Sequence, residues 1–256
     1  MEIRGVFKVY NKSCHQMTEI IDNSVQLIVT SPPYPMIKKW NDTFNGTTFE
    51  EQHRELFVVW EECYRILSDG GIMCVNIGDA TRRHNDVYQA FPNAAKIMIN
   101  CMDIGFYNFV PILWKKISNR PNAFLGSGML PTNSYVSQDH EYILIFRKGG
   151  PRKFKPKDPN RYDSAFSKEQ RNVWFNQVWN IGSSKNGKEF SAFPQELPDR
   201  LIQMFSVKSD IVVDPFAGTN ITGNSAYELN RNYIGYEINN FIVDKFVDTN
   251  NFEVMR

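Results

Sequence analysis

Apolar positions along the chain fall into short blocks whose spacing alternates between the two-residue period of a strand and the 3.6-residue period of a helix. Gly5–Tyr10 (GVFKVY) and Val25–Thr30 (VQLIVT) read as strands. The second stops at Pro32-Pro33, because proline has no backbone donor to continue a sheet interior. From Phe49 to Leu67, the residues Leu56, Val59, Trp60, Cys63, Ile66 and Leu67 recur at helical spacing, and Ser68-Asp69-Gly70-Gly71 supplies a stop and turn. Gly71–Ile77 reads as a buried strand, Ala90–Met102 as a helix, and Phe106–Lys115 and Glu141–Arg147 as strands. The C-terminal part repeats the alternation, with helices at Leu197–Phe205 and Asn220–Asn230 and strands at Asp210–Asp214 and Tyr233–Glu237. Strands alternating with helices predict an α/β fold with a mainly parallel sheet.

Composition changes this picture little. At 256 residues, 42% apolar and 22% charged, the chain can bury a full core as one domain. The net charge of +1 announces no nucleic-acid partner by itself. Its distribution is uneven, however: residues 147–171 hold nine Lys or Arg against three Asp or Glu. Cys14, Cys63, Cys74 and Cys101 form no CxxC pair and are not grouped with histidines, so neither a metal site nor a disulfide framework is expected. The first residues (MEIRGVFKVYNK) contain no signal-peptide core. No run approaches the roughly 20 apolar residues of a membrane span, so a cytoplasmic protein is expected.

Two loops carry chemistry. Ile211-Val212-Val213 delivers Asp214 to the carboxyl end of a strand, and Pro215-Phe216-Ala217-Gly218-Thr219 turns the chain into a helix near Asn220. Ligands of open α/β sheets sit in this crevice. Gly218 lets the backbone approach a ligand, and Thr219 or Asn220 could cap the helix. Glu237 closes the next strand about 20 residues on, where a carboxylate can hold ribose hydroxyls. There is no GxGxxG and no GK[ST], which disfavours dinucleotides and excludes a phosphate-cradling loop. One glycine flanked by acids suits a phosphate-free, positively charged sulfonium, which is S-adenosylmethionine. Taken without Glu237, the same loop would also serve as an ordinary strand-to-helix turn.

Ser31-Pro32-Pro33-Tyr34 also follows an apolar strand. Two prolines fix two φ angles and leave a rigid loop with few donors and outward-facing carbonyls. Such a loop suits an exocyclic amino group, whose lone pair is conjugated into its ring. Holding both N–H hydrogens, one on Ser31 Oγ and one on the Pro32 carbonyl, turns that lone pair toward a methyl donor and stabilises the charge that develops on nitrogen. Tyr34 offers a face for an extruded base.

The two loops together resemble the beta group of DNA amino-methyltransferases from restriction–modification systems, over most of the chain. The resemblance implies a Rossmann-like methyltransferase fold with helices on both faces and a permuted motif order. It implies a catalytic part over residues 1–117, a small target-recognition insertion over 118–176, and a cofactor part over 177–256. Ser31, Pro32, Pro33 and Tyr34 would be catalytic. Ser13, Cys14, Thr30, Phe193, Asp214, Pro215, Phe216, Gly218, Thr219, Asn220 and Glu237 would hold the cofactor. Ser13-Cys14 falls where the family often has Asp-Cys, and Phe193-Pro194 resembles the segment before the cofactor strand; the usual His-Pro is replaced by Glu189-Phe190. Asn76-Ile77-Gly78-Asp79 resembles the strand end that follows the catalytic motif. Ser in the first catalytic position is associated mainly with cytosine N4, and Asp or Asn with adenine N6. C5 chemistry needs a cysteine, typically after proline, and no cysteine here follows one.

The implied partner is double-stranded DNA, with a cognate endonuclease acting on the same site and a homodimer as further expectations. Arg120, Asn122, Arg152, Lys153, Lys155, Lys157 and Arg161 are candidate DNA contacts on the segment from about Ser118 to Phe175, although a solvated loop accounts equally well for any one of them. Competing readings are the same enzyme acting on adenine N6, methylation of RNA or of a glutamine amide, and a DNA-binding module that has kept the fold without catalysis.

Overall fold

The computed structural model describes residues 5–84, 87–117, 125–182, 193–246 and 252–256. Strands β1 (Phe7–Tyr10), β2 (Val25–Thr30) and β3 (Leu67–Ile77) are followed by β4 (Ala80–His84) and β5 (Val87–Phe91). Next come β6 (Tyr107–Asn108), β7 (Ile112–Ile117), β8 (Leu125–Gly126), β9 (Ser134–Tyr135) and β10 (His140–Arg147). The last four are β11 (Val178–Gly182), β12 (Ile211–Asp214), β13 (Asn232–Tyr236) and β14 (Glu253–Met255). Helices are α1 (Phe49–Ile66), α2 (Asn93–Ile104), α3 (Pro159–Tyr162), α4 (Lys168–Trp174), α5 (Glu196–Phe205), α6 (Ile221–Glu228) and α7 (Asn240–Phe246), besides one 3-10 turn.

The main sheet runs β11-β7-β10-β3-β2-β12-β13-β1-β14. All neighbours along it are parallel except β10, which is antiparallel to both β3 and β7. Side chains alternate between two cores. Ile28, Met73, Val75 and Val213 face Trp60, Cys63 and Ile66 of α1. Leu27, Val29, Cys74 and Val212 face Leu197, Leu201 and Ile202 of α5. With both faces covered, the central strands read as unbroken apolar runs rather than as alternating ones. A capping box between Thr48 and Glu51 starts α1.

From β2 the chain passes through α1 to β3 on one side, and from neighbouring β12 through α6 to β13 on the other. The chain thus diverges between β2 and β12, and a crevice opens at their carboxyl ends. Both loops singled out in the sequence lead off these ends.

Two expectations change. Ser68–Gly71 is not a turn outside the sheet but the first part of the long strand β3, with Gly70 at φ +80°. The segment expected as an insertion contributes β10 to the sheet, so only its flanks stand apart. Two hairpins, β4–β5 and β8–β9, were not foreseen from the sequence. Tyr88 and Tyr135 stack between them at 4.3 Å and 11°.

Candidate active site

A cavity of about 910 Å³ occupies the carboxyl edge. Its walls bring together Ser13, Cys14, Ser31, Pro32, Pro33, Tyr34, Phe193, Asp214, Pro215, Phe216, Gly218, Thr219 and Glu237. Residues more than 200 positions apart are adjacent because parallel strands carry every such loop to the same edge.

Asp214 organises the cofactor loop from beneath. It is 2% exposed; Oδ1 accepts from Thr30 Oγ1 (2.6 Å) and from the Phe216 N–H (3.1 Å), and Oδ2 accepts from Thr222 Oγ1 (2.7 Å). Burial pushes its carboxyl up to about 6, against the opposing pull of those three donors. Above it, Gly218 at φ +52° turns its N–H onto Glu237 Oε2 at 2.9 Å, and the Asn239 N–H donates to Oε1 at 2.8 Å. Burial raises the Glu237 carboxyl, and these backbone donors draw it back. Each Glu237 oxygen keeps a lone pair for a ligand hydroxyl. The neighbouring walls are apolar, with Phe193, Phe216 and Ile238. Burial pushes the Cys14 thiol up to about 12, so it is an apolar wall rather than a nucleophile.

Two expected cofactor residues lie behind the cavity wall. Thr30 is 1% exposed and spends its hydroxyl on Asp214. Asn220 is fully buried at φ +62°, and its N–H closes the turn onto the Ala217 carbonyl. It stands at the N-cap of α6, one of the two positions expected, but its side chain makes no capping bond. It packs against Gly223, where a Cβ would stand 2.4 Å from Asn220 Oδ1. Thr222, eight residues beyond Asp214, was missed because a threonine inside a helix carries no distinguishing pattern.

The catalytic loop rests on a second polar group. Ser31 Oγ donates to Tyr34 Oη (3.2 Å), which donates to Glu141 Oε2 (2.9 Å). Asn76 Nδ2 donates to Tyr34 Oη (2.7 Å) and to Glu141 Oε2 (2.8 Å), and Lys116 pairs with Glu141 Oε1. Burial, with the Glu141 charge beside it, raises the Tyr34 phenol well above its usual range. Deeper still, Asn93 Nδ2 holds the carbonyls of Pro35 and Gly78, each at 3.0 Å. Glu141 and Lys116 escaped the sequence reading because β10 and β7 reach the site only through long-range pairing.

The basic segment lies at the other edge of the sheet. Because β10 runs antiparallel, its end emerges at the amino edge of the sheet, opposite Ser31. Arg152 forms a two-pronged ion pair with Asp210 just before β12 (2.5 and 2.8 Å). Arg152 and Arg161 both stack on Phe154. The Lys208 N–H donates to Ser164 Oγ, which pins the segment at a second point of the same edge. Arg152 is thus engaged within the fold, and Lys153, Lys155 and Lys157 stand on a stretch fastened away from the cavity. Arg120, Asn122, Glu189 and Phe190 lie outside the described residues.

This sheet, with a single-glycine loop facing an acid across a switch-point crevice, defines the Rossmann-like methyltransferase class. The chain belongs to the N6/N4 DNA methylase family, whose model matches residues 25–248. It is 50% identical to the Type II methyltransferase M.MjaI of Methanocaldococcus jannaschii, over 93% of this chain and 89% of that one. It is 40% identical to the Type II methyltransferase M.MthZI of Methanothermobacter thermautotrophicus, over 94% and 76%. Among solved structures it resembles a putative DNA modification methylase from Thermus thermophilus, complexed with S-adenosyl-L-methionine. The TM-score is 0.80 at 30% identity, with 98% of this chain and 100% of that one covered.

Proposed function

We propose that the chain is a site-specific DNA methyltransferase that uses S-adenosylmethionine to methylate the N4 amino group of cytosine, within a restriction–modification system. The carrying observation is that Ser31, on its rigid Pro-Pro loop, and the Gly218–Glu237 pair line one cavity. The residues fit the cofactor. Glu237 has lone pairs for ribose hydroxyls, and Phe193, Phe216 and Ile238 give an apolar berth for a purine. When bound, the cofactor supplies the methyl group.

The chain's own residues supply orientation. Ser31 Oγ and the Pro32 carbonyl accept the two N–H bonds of the flipped base, and the Tyr34 ring supports its face. Ser31 rather than Asp or Asn in this position supports cytosine. Duplex DNA would dock at the carboxyl edge, where Arg82 of β4 holds the Met36 carbonyl and Asn41 just after the catalytic loop, and Tyr88 of β5 stacks on Tyr135 of β9. Within the segment 118–176, target reading then falls to the part before β10. Nucleoside mass spectrometry of plasmid methylated by the purified enzyme tests the reading. N4-methylcytosine is expected, N6-methyladenine would move the target to adenine, and no modified base would overturn the activity.

A further inference from the structure

The hydrogen bonds behind Ser31 have a direction. Tyr34 Oη receives Asn76 Nδ2 at 2.7 Å and gives its own proton to Glu141 Oε2 at 2.9 Å. A phenol has one proton to give, so its remaining lone pair can only accept, and Ser31 Oγ donates into it at 3.2 Å. The hydroxyl protons of Ser31 and Tyr34 are therefore both committed along the chain toward Glu141, which lines the same cavity. The Ser31 oxygen is left with lone pairs toward the cavity and no proton for it.

We infer that Glu141 is the positioning residue of the reaction and the terminal proton acceptor of a Ser31–Tyr34–Glu141 relay. This deepens the amino-methylation reading and rests on it. Once the base nitrogen has gained a methyl group it carries one proton too many. That proton passes to Ser31 Oγ, the Ser31 proton to Tyr34 Oη, and the Tyr34 proton to Glu141 Oε2. Each hydroxyl breaks one O–H bond and forms another, so only Glu141 ends with an added proton. Glu141 then loses it to water beside Lys116, whose side chain is 41% exposed.

The surroundings of Glu141 suit this task. It comes from β10, Lys116 from β7, Asn76 from β3 and Tyr34 from the loop after β2, so four separate elements converge on one carboxylate. Among the described residues, Lys116 and Tyr34 are the charged or titratable groups bonded to it. His140 and Asp139, beside it in sequence, pair with each other, and Asp139 also pairs with Lys115. A tyrosine needed only for stacking would have no use for a buried donor and acceptor on its hydroxyl.

Glu141→Gln keeps shape and removes the acceptor, while Tyr34→Phe keeps the ring and removes the middle of the relay. Single-turnover methyl transfer from labelled S-adenosylmethionine to plasmid DNA, measured across pH, is the readout. Calorimetric cofactor binding and a thermal melt serve as folding controls. Both variants are expected to lose about 100-fold or more in rate, as for a positioned general base. Cofactor affinity should be unchanged, the double variant no slower than either single one, and the acid limb of the wild-type pH profile absent from Glu141→Gln. Wild-type rates in both variants would overturn the inference, as would a rate loss with the acid limb intact, which marks a merely structural role. A wild-type enzyme that transfers no methyl to DNA would instead overturn the amino-methylation reading beneath it.

Discussion

The two edges of the sheet use the same kinds of residues to opposite ends. At the amino edge, Arg152 is matched to Asp210, Arg231 gives its guanidinium to Ser206 and to the Leu229 carbonyl, and Lys148 reaches Asn23 and the Tyr64 carbonyl. These charges are consumed in closing the fold. At the carboxyl edge, Glu237 and Ser31 are each held by one set of bonds while a second set of lone pairs faces a cavity. Satisfied polar groups build architecture, and groups left with spare capacity on a rigid frame can do chemistry.

The sharpest test of this contrast is Ser31→Ala. Losing a preorganised acceptor at the reacting nitrogen should lower the methyl-transfer rate about 100- to 1000-fold. Calorimetry should show cofactor affinity unchanged, because Glu237 and Gly218 are untouched. Equal losses in rate and affinity would mean that the edge works as one binding surface without a separate catalytic acceptor.

Asp214 belongs to the carboxyl edge but behaves like the amino one, since three donors already engage it. Its folded carboxyl sits at about 6, against about 3.9 when unfolded. A raised carboxylate means the folded state binds the proton more tightly. Stability from this group is thus fully present below about pH 4 and is lost as pH rises through about 6. The loss amounts to about 2–3 kcal/mol. In Asp214→Asn that slope should vanish, since the amide keeps an acceptor for Thr30 and Phe216 while Thr222 turns to accept. Urea denaturation of both proteins at pH 4.5 and 7.5 checks this.

Much of this contrast was legible in the sequence, and the part that was not has a physical reason. Apolar runs marked β2, β3, β10 and β12, because strands buried on both faces cannot hide their composition. The two loops were legible because proline, glycine and a strand-end acid constrain the backbone locally. The direction of β10 was not legible. Antiparallel insertion between β3 and β7 is decided by tertiary pairing, and it sends Glu141 to the site and Arg147 away from it. The basic residues 147–171 follow β10 to the amino edge, a location that their charge alone does not reveal. The β8–β9 hairpin was missed because its strands have two residues each, too few to display a period.

Glu237→Ala should weaken S-adenosylmethionine binding about 10- to 100-fold, the cost of hydrogen bonds to a charged partner. It should also release the Gly218 N–H that now rests on Oε2. Glu237→Gln should lose less, because Oε1 can still receive Asn239. If both substitutions left affinity unchanged, the cavity would have to hold its ligand from the catalytic loop alone.

The smallest expected effect is the most decisive for the comparison. Reversing Lys153, Lys155 and Lys157 together to Glu should leave DNA affinity and its salt dependence as they are, because that stretch is fastened by Arg152 and Ser164 to the amino edge. Each phosphate contact adds about 0.9 to the slope of log affinity against log salt. Three real contacts would therefore flatten the slope by roughly three units, and their absence would leave it unaltered. Arg152→Ala should cost about 1–2 kcal/mol of stability through the unpaired Asp210, with DNA binding by the folded fraction unaltered. A flattened slope in the triple variant would mean that the duplex wraps from one edge of the sheet to the other, and the division between an architectural and a chemical edge would fail.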